Sequence, residues 1–523
     1  MSRYASLAFA LVIAVAGACS GESEALNLPG TMHDAGSILL APESNDAGVS
    51  YAADAMAWGD PFEPPPAQGE LIENDFVNTS EETTSTFGID VDTGSYTLSR
   101  RALNEGQLPD PDSVRVEEFI NYFAYAYTPP SSASERPFAI DLEMAPSPFG
   151  VQGTKLLRVG LKGYEVPADQ RKPANLVFLI DVSGSMGSSD KLPWVKELLR
   201  GLTETLQPTD TLGIVTYASG VREVLQPTAV ENKSVILDAI TELQSGGSTA
   251  GAGGIQAAYA MAESAKQTGS INRVVLCTDG DFNVGITGDA LVDWVSAKRD
   301  EGITLSVFGF GMGNYKDVFL EQLADNGDGN YAYIDSSDEI QRVLSESLIG
   351  MLQVIAKDVK VQLVFDETIV SAFRLVGYEN RVMPNQDFVD DTKDGGEIGA
   401  GHTVTAFYEL KLHDQAPGVG KVATVRLRYK EPDGDTSKLI EHTLVLDGER
   451  ATFAEASEDF RFAAAVVELA EVLRVSKHSE GARFDEVIEI ARATAGDNAY
   501  RLELVALAEI ARGLWPEADP QTP

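Results

Sequence analysis

Three short segments carry oxygen ligands in an arrangement that suits metal chemistry. They are Asp181-Val182-Ser183-Gly184-Ser185-Met186, Gly246-Gly247-Ser248-Thr249-Ala250-Gly251 and Cys277-Thr278-Asp279-Gly280. Asp181 and Asp279 offer carboxylates, while Ser183, Ser185 and Thr249 offer hydroxyls on loops that can converge. An all-oxygen set of this kind suits a hard divalent cation, Mg²⁺ or Mn²⁺.

These residues act together only if the fold brings the segments to one edge. Leu176–Ile180 is a continuous apolar run ending in Asp181, as expected of a strand buried on both faces of a parallel sheet. Similar runs recur at Leu212–Tyr217, Val274–Cys277 and Thr304–Phe308. Helical patterns lie between and after them, at Leu192–Leu206, Lys233–Leu243, Gly254–Lys266, Ala290–Arg299 and Val318–Ala324. Such alternation predicts a doubly wound, mostly parallel sheet, in which ligands sit at the carboxyl ends of the strands. All three segments fall on that edge.

With the five residues in order, this block resembles a von Willebrand factor type A domain. The resemblance implies a metal-ion-dependent adhesion site formed by Asp181, Ser183, Ser185, Thr249 and Asp279. It implies direct ligation by the two serines, ligation by Thr249 in an open form, and carboxylates acting largely through water. One coordination position would then take an acidic side chain from a partner, because the local cation dominates at contact distance. The alternatives are a silent site, or serine-rich turns with capping roles alone. The wider chain, from about Ser85 to Leu514, resembles a bacterial family of exported proteins with this domain. That likeness rests on Thr86-Phe87-Gly88-Ile89-Asp90-Val91-Asp92-Thr93-Gly94-Ser95-Tyr96, on Asp279-Gly280-Asp281-Phe282-Asn283-Val284-Gly285 and on Glu397-Ile398-Gly399-Ala400-Gly401-His402. It implies no particular enzymatic activity.

Other motifs compete for attention. Asp92-Thr93-Gly94-Ser95 matches the aspartic-protease tetrapeptide, but that chemistry needs a second carboxylate loop to share a proton. Asp90-x-Asp92 is similar to a phosphatase nucleophile motif, without the preceding apolar strand or the later Lys and paired Asp. A turn with a capped helix start is the expected role. The Gly246–Gly254 stretch lacks the Lys of a phosphate-binding loop. Asp387–Glu397 is expected to be a solvated acidic loop; read from Asp390 it begins like a calcium loop, but Gly401 stands where the closing Glu belongs. The five histidines form no zinc-spaced cluster.

The 523 residues allow roughly two to four domains. Asp and Glu number 80 against 40 Lys and Arg, a formal charge of -40. Such a field repels phosphate backbones, so nucleic acid is not an expected partner, and adsorption to anionic lipid heads is disfavoured. Two cysteines, Cys19 and Cys277, cannot build a disulfide framework. Cys277 sits in an apolar run without an activating neighbour, so packing is its expected role.

The amino terminus reads as an export signal. After Arg3, Leu7–Ala18 is apolar or small, too short for a membrane span but sized for a secretory segment. Ala16-Gly17-Ala18 before Cys19 resembles a bacterial lipobox, although Ala16 stands where Leu is more usual. The resemblance implies cleavage after Ala18 and lipidation of Cys19; an ordinary signal peptide is the alternative. Ser20, rather than Asp, favours the outer membrane. From Ser20 to Ser99 there is no Lys or Arg, and the stretch through Ser85 is rich in Gly, Pro, Ala, Asp and Glu, as in a flexible tether.

The expected organisation is a signal peptide (1–18), an acidic tether (19–85), helices and strands (86–170), a type A domain (171–352), and β-sandwich plus helices (353–523). Phe138–Met144, Lys155–Leu161, Val359–Phe365, Thr403–Leu412, Lys421–Tyr429 and Leu439–Leu446 alternate as half-buried strands do. The fold class is therefore α/β, a type A (Rossmann-like) sheet inserted in a flanking β-sandwich, with C-terminal helices. Ser95–Leu103 and Val116–Tyr125 are expected as short helices, and Phe460–Val475, Asp485–Arg492 and Arg501–Leu514 as the C-terminal ones. The first and last of these carry apolar stripes and are expected to pair antiparallel. The functional expectation is an exported, lipid-anchored cell-envelope protein, not an enzyme. It would capture a protein partner's acidic group through the cation and touch the membrane only by its N-terminal lipid. A metal-assisted hydrolase using Asp279 and Asp281 is the alternative; it would need a general base that the sequence does not plainly provide.

Overall fold

The computed structural model describes residues 72–516, apart from 132–135, 151–152, 249–252, 281–287, 312–316, 417–418, 448–451 and 480–482. The signal peptide, Cys19 and most of the expected tether therefore lie outside the described residues, as does Thr249. All described residues belong to one unit, Pro64–Pro523.

The chain opens with β1 (Val77–Asn78), β2 (Thr84–Gly88), α1 (Gly94–Asn104), α2 (Val116–Asn121), β3 (Phe138–Pro146) and β4 (Lys155–Gly163). An α/β block follows: β5 (Ala174–Asp181), α3 (Leu192–Thr205), β6 (Thr211–Tyr217), β7 (Val221–Ala229), α4 (Lys233–Glu242), α5 (Gly254–Ser264), β8 (Ile271–Thr278), α6 (Asp289–Asp300), β9 (Thr304–Phe310), α7 (Asp317–Asn326), β10 (Tyr331–Ile334), α8 (Ser337–Arg342) and α9 (Leu348–Leu352). The chain then returns through β11 (Val354–Phe365), β12 (Val370–Val376), β13 (Ile398–Gly399), β14 (Thr403–Leu412), β15 (Val419–Lys430) and β16 (Ser437–Asp447), and ends in α10 (Glu458–Leu473), α11 (Phe484–Ala495) and α12 (Ala499–Leu514).

The α/β block forms one six-stranded sheet in the order β10-β9-β8-β5-β6-β7. All neighbours are parallel except the β6–β7 pair. Period-two alternation sends Leu176, Phe178 and Ile180 into one core with α3, α4 and α8, and Val177 and Leu179 into another with α5, α6 and α7. Burial on both faces is why β5 is apolar at nearly every position. The exposed edge strand β7 has no such run, and the sequence expectation omitted it.

The flanks share a β-sandwich. One sheet runs β1-β12-β14-β4-β3; in the other, β11 carries β15 and β16 on one side and β2 and β13 on the other. β4, from before the α/β block, pairs along its length with β14, from after it, Leu161 opposite Val404 and Lys155 opposite Leu410. The α/β block is thus an insertion between two strands' worth of the same sheet, as expected. One boundary needs correction: the tether expected through Ser85 stops short of it. Val77 and Asn78 pair with β12, and Thr84–Gly88 pair with β11, because Val77 and Phe87 have a core to enter. β12 was also missed, since Arg374 interrupts its alternation; it is buried and pairs with Glu409 and Glu471.

The first sheet's outer face is covered by helices. Leu157, Val159 and Tyr408 enter the sandwich core, while Leu156 and Phe407 enter a core built with α2, α10, α11 and α12. The expected α10–α12 pair is corrected by the packing: α11 is the main partner of both, α10 also packs on α2, and α12 on α1. A buried ionic knot ties these helices to the α/β block. Arg100 of α1 binds Asp335, Glu339 of α8 (2.9 Å), Glu503 of α12 (3.1 Å) and the Tyr122 hydroxyl (2.6 Å). Buried Arg342 adds a second guanidinium, 2.6 Å from Glu339, so two cations share the three carboxylates of the knot.

Candidate metal centre

Asp181 is the last residue of β5, at the carboxyl edge of the sheet, and is fully buried. Its Oδ1 accepts a hydrogen bond from the Ser183 N–H (2.8 Å), which folds the loop back over the strand end. Its Oδ2 lies in the core with the buried Tyr217 hydroxyl facing the carboxyl group. The Ser183 and Ser185 hydroxyls stand 2.9 Å apart, Ser183 buried and Ser185 exposed. Two hydroxyls at this spacing can serve one cation.

The second segment is stitched to the first. Gly246 N–H donates to the Val182 carbonyl (2.8 Å), and Gly184 N–H donates to the Gly247 carbonyl (3.0 Å). Gly247 has φ +87°, a conformation glycine adopts without strain. Val182 N–H meets the Tyr217 carbonyl (3.0 Å), tying the loop to the end of β6. Thr249 lies two residues beyond Gly247, outside the described residues.

Asp279 follows β8, the strand directly beside β5. Its Oδ2 is 2.9 Å from the ammonium of Lys191, which precedes α3. The sequence expectation missed Lys191; its signal was a lysine ten positions after Asp181, on the same strand-to-helix connection. Burial pushes the Asp181 carboxyl up to about 6, opposed by the hydrogen bonding of Ser183, reinforced by the Asp279 charge, and opposed again by the Tyr217 hydroxyl. A buried carboxylate beside paired hydroxyls and a second carboxylate is a donor set that fits a hard divalent cation.

The other candidates resolve differently. Asp92 is buried, its Oδ1 accepting from the Tyr331 N–H (3.0 Å), and Gly94 lies so close to the Tyr331 ring that a Cβ there would be 2.6 Å from it. The start of α1 is held by the Glu118 carboxylate, which accepts from Ser95 N–H (2.7 Å), and Thr93 makes no side-chain cap. Asp92-Thr93-Gly94-Ser95 is therefore a docking turn against β10. Within the acidic loop, Asp390 accepts from Thr392, and Asp391 accepts from Arg428 and Ser437. Cys277 is fully buried in the core beneath α3, and burial pushes its thiol well up, consistent with packing. Asp281 lies outside the described residues.

The sheet order, with an Asp-x-Ser-x-Ser loop after its central strand, defines a von Willebrand factor type A domain protein. The family described as "von Willebrand factor type A domain" matches residues 175–346, and two further families, described as "von Willebrand factor" and "Uncharacterized protein YfbK, C-terminal", match residues 68–158 and 350–514. The chain is 38% identical over 470 residues to Uncharacterized protein YfbK of Escherichia coli (strain K12), covering 85% of this chain and 81% of that protein. It is 25% identical to Uncharacterized protein sll0103 of Synechocystis, over 60% of this chain and 75% of that one. Among solved structures, a von Willebrand factor type A protein from Catenulispora acidiphila covers 76% of this chain and 93% of its own at 15% identity and a TM-score of 0.40. The chain belongs to the YfbK family of proteins with a type A domain.

Proposed function

We propose that this chain is an exported, lipid-anchored protein of the cell envelope, most consistent with an outer-membrane lipoprotein, and that it binds another protein through a divalent cation held at the carboxyl edge of its type A sheet. Asp181, Ser183, Ser185, Thr249 and Asp279 would hold Mg²⁺ or Mn²⁺. The observation that carries this reading is the Ser183–Ser185 hydroxyl pair, 2.9 Å apart, beside the buried Asp181 carboxylate at the end of β5. When bound, the cation supplies a hard electrophilic position for a carboxylate oxygen of the partner.

The chain's own groups each have a task. The serine hydroxyls present neutral oxygens, so little of the cation's charge is cancelled at the exposed face. Asp181 and Asp279 balance charge from below. The stitched loops of Val182–Gly184 and Gly246–Gly247 keep these groups in register. Export and anchoring rest on the amino-terminal sequence, with Cys19 as the lipidated residue. The test is capture from envelope extract with Mg²⁺ and with EDTA, using wild type and Ser183→Ala/Ser185→Ala. Capture that survives EDTA or the double substitution removes the adhesion reading. Recovery of a Cys19→Ser chain with unchanged membrane association removes the lipid anchor.

A further inference from the structure

The two acidic motifs that the adhesion-type site leaves unused meet at the opposite edge of the sheet. Tyr331 begins β10, which runs parallel with β5 through β9 and β8, so the turn before it lies at the amino edge, opposite Asp181. There a cleft of about 290 Å³ opens between the segment after β2, the turn after α7 and the turn before β13. Asp90, Asp92, Asp325, Asp394 and Glu397 line it. Asp328, at its side with φ +48°, has a carboxylate oxygen within 4.8 Å of oxygens from both Asp394 and Glu397.

Asp90 is 4% exposed, and its Oδ2 accepts no hydrogen bond. Arg381 Nε stands off from it at 3.6 Å and makes no hydrogen bond, while Arg381 Nη2 donates to both oxygens of Asp325 at 2.9 Å. No hydrogen bond or ion pair among the described residues engages the Glu397 carboxylate. Arg299 reaches the trio only loosely, 3.4 Å from Asp328 and 3.8 Å from Asp394, longer than the roughly 2.7–2.9 Å of a charge-assisted hydrogen bond. Arg273, buried nearby, donates to Ser306. Six carboxyl groups thus face three guanidiniums and the Lys357 ammonium, which acts on Asp328, so acidic groups still outnumber basic ones.

The backbone is built to hold this arrangement. Gly395 and Gly396 N–H both donate to Asp394 Oδ1, and Gly395 accepts from Ile89 N–H (2.7 Å). A Cβ on Gly396, whose φ is +96°, would lie 2.5 Å from the Ile89 carbonyl. Only glycine lets the Asp394–Glu397 turn press onto the Asp90 segment.

We infer that this cleft is a second divalent-cation site, of the calcium type, with Asp328, Asp394 and Glu397 as carboxylate ligands and Asp90 as a buried charge that the ion compensates. Calcium takes six to eight oxygens at roughly 2.3–2.6 Å in irregular geometry, so oxygens on one ion stand no more than about 5 Å apart. The spacing of the trio meets that limit. A cation here would join three parts of the chain: the amino-terminal segment, the type A domain and the sandwich.

The test uses the full chain carrying Ser183→Ala/Ser185→Ala, so that the other site is silent whether or not it binds metal. CaCl₂ is titrated by calorimetry and by thermal melting. The expected result is one Ca²⁺ per chain and a raised Tm. Adding Asp394→Asn/Glu397→Gln should weaken binding roughly 10–100-fold, while Asp391→Asn, in the same loop but facing Arg428, should leave it unchanged. Asp328→Asn supplies the same comparison from a different element should the paired amides fold poorly. In EDTA the amide variants should melt no lower than their parent, because like-charge crowding is relieved. Absence of calcium binding in the serine variant, or binding unaltered by Asp328→Asn and by Asp394→Asn/Glu397→Gln, overturns the site.

Discussion

The Lys191 ammonium lies 2.9 Å from Asp279 Oδ2, where the carboxylate faces the adhesion-type loop. Lys191 gets there by crossing Gly311, where a Cβ would lie 2.1 Å from its Cε. An internal cation thus already compensates one of the two carboxylates expected to balance the metal. Lys191→Met should raise Mg²⁺ affinity by roughly tenfold, about 1.4 kcal/mol, because a competing positive charge is gone. Gly311→Ala should displace the lysine and shift affinity the same way. Calorimetric titration of each variant checks this; weaker binding in Lys191→Met would mean that the lysine orients Asp279 rather than competing for it.

Metal should also stabilise the fold. A cation bound only by the native state at about 100 times its dissociation constant adds about 2.7 kcal/mol. Mg²⁺ or Mn²⁺ should raise Tm and EDTA should reverse it. Ser183→Ala/Ser185→Ala and Asp279→Ala should each lose that shift while keeping a folded circular-dichroism spectrum. Cys277→Ala should melt lower, since a packed thiol is removed, yet respond to metal as the wild type does. A double serine variant with the wild-type Mg²⁺ response sinks the metal-site assignment.

Glu468 makes stability depend on pH. It is 7% exposed on α10, and its Oε1 accepts no hydrogen bond. Burial, with Glu471 adding to it and Arg483 opposing, pushes its carboxyl up to about 8. In the unfolded chain it titrates at about 4.3. Between these values the native state holds a proton that the unfolded state has lost. Its contribution is complete below pH 4 and falls as pH rises, at up to about 1.4 kcal/mol per pH unit, until the folded value is passed. Glu468→Gln should flatten the decline of stability between pH 5 and pH 8. Denaturant midpoints at both pH values measure it, and equal slopes for the two chains would contradict it.

The C-terminal helices are part of the core. Phe462 is fully buried, 5.0 Å from the Phe123 ring in an edge-to-face contact, with the Arg501 guanidinium 4.5 Å over its own ring. Phe462→Ala should cost about 3–5 kcal/mol. Removal of residues after Asp459 should prevent stable folding, because the first sheet's outer face, including Phe407 and Leu156, would be left in water. Limited proteolysis followed by thermal melting tests this.

What the sequence determined by itself was local and repetitive. β5, β6, β8 and β9 were legible because burial on both faces demands unbroken apolar runs. Asp181, Ser183, Ser185 and Asp279 were legible because they sit at the ends of those runs. The shared sandwich followed from alternation on both sides of the block, confirmed where Leu161 meets Val404. Tertiary structure decided whatever depends on distant partners. β12 holds buried Arg374 only because Glu409 and Glu471 meet it from another strand and a helix. α11, not α12, became the partner of α10, since either apolar stripe could satisfy the other and only the connections and the sheet face choose. Lys191 reached Asp279 across 88 residues of chain. Asp90 met the Asp394–Glu397 turn because Ile89 hydrogen-bonds to Gly395, some 300 positions away, and no local pattern in either segment encodes that encounter.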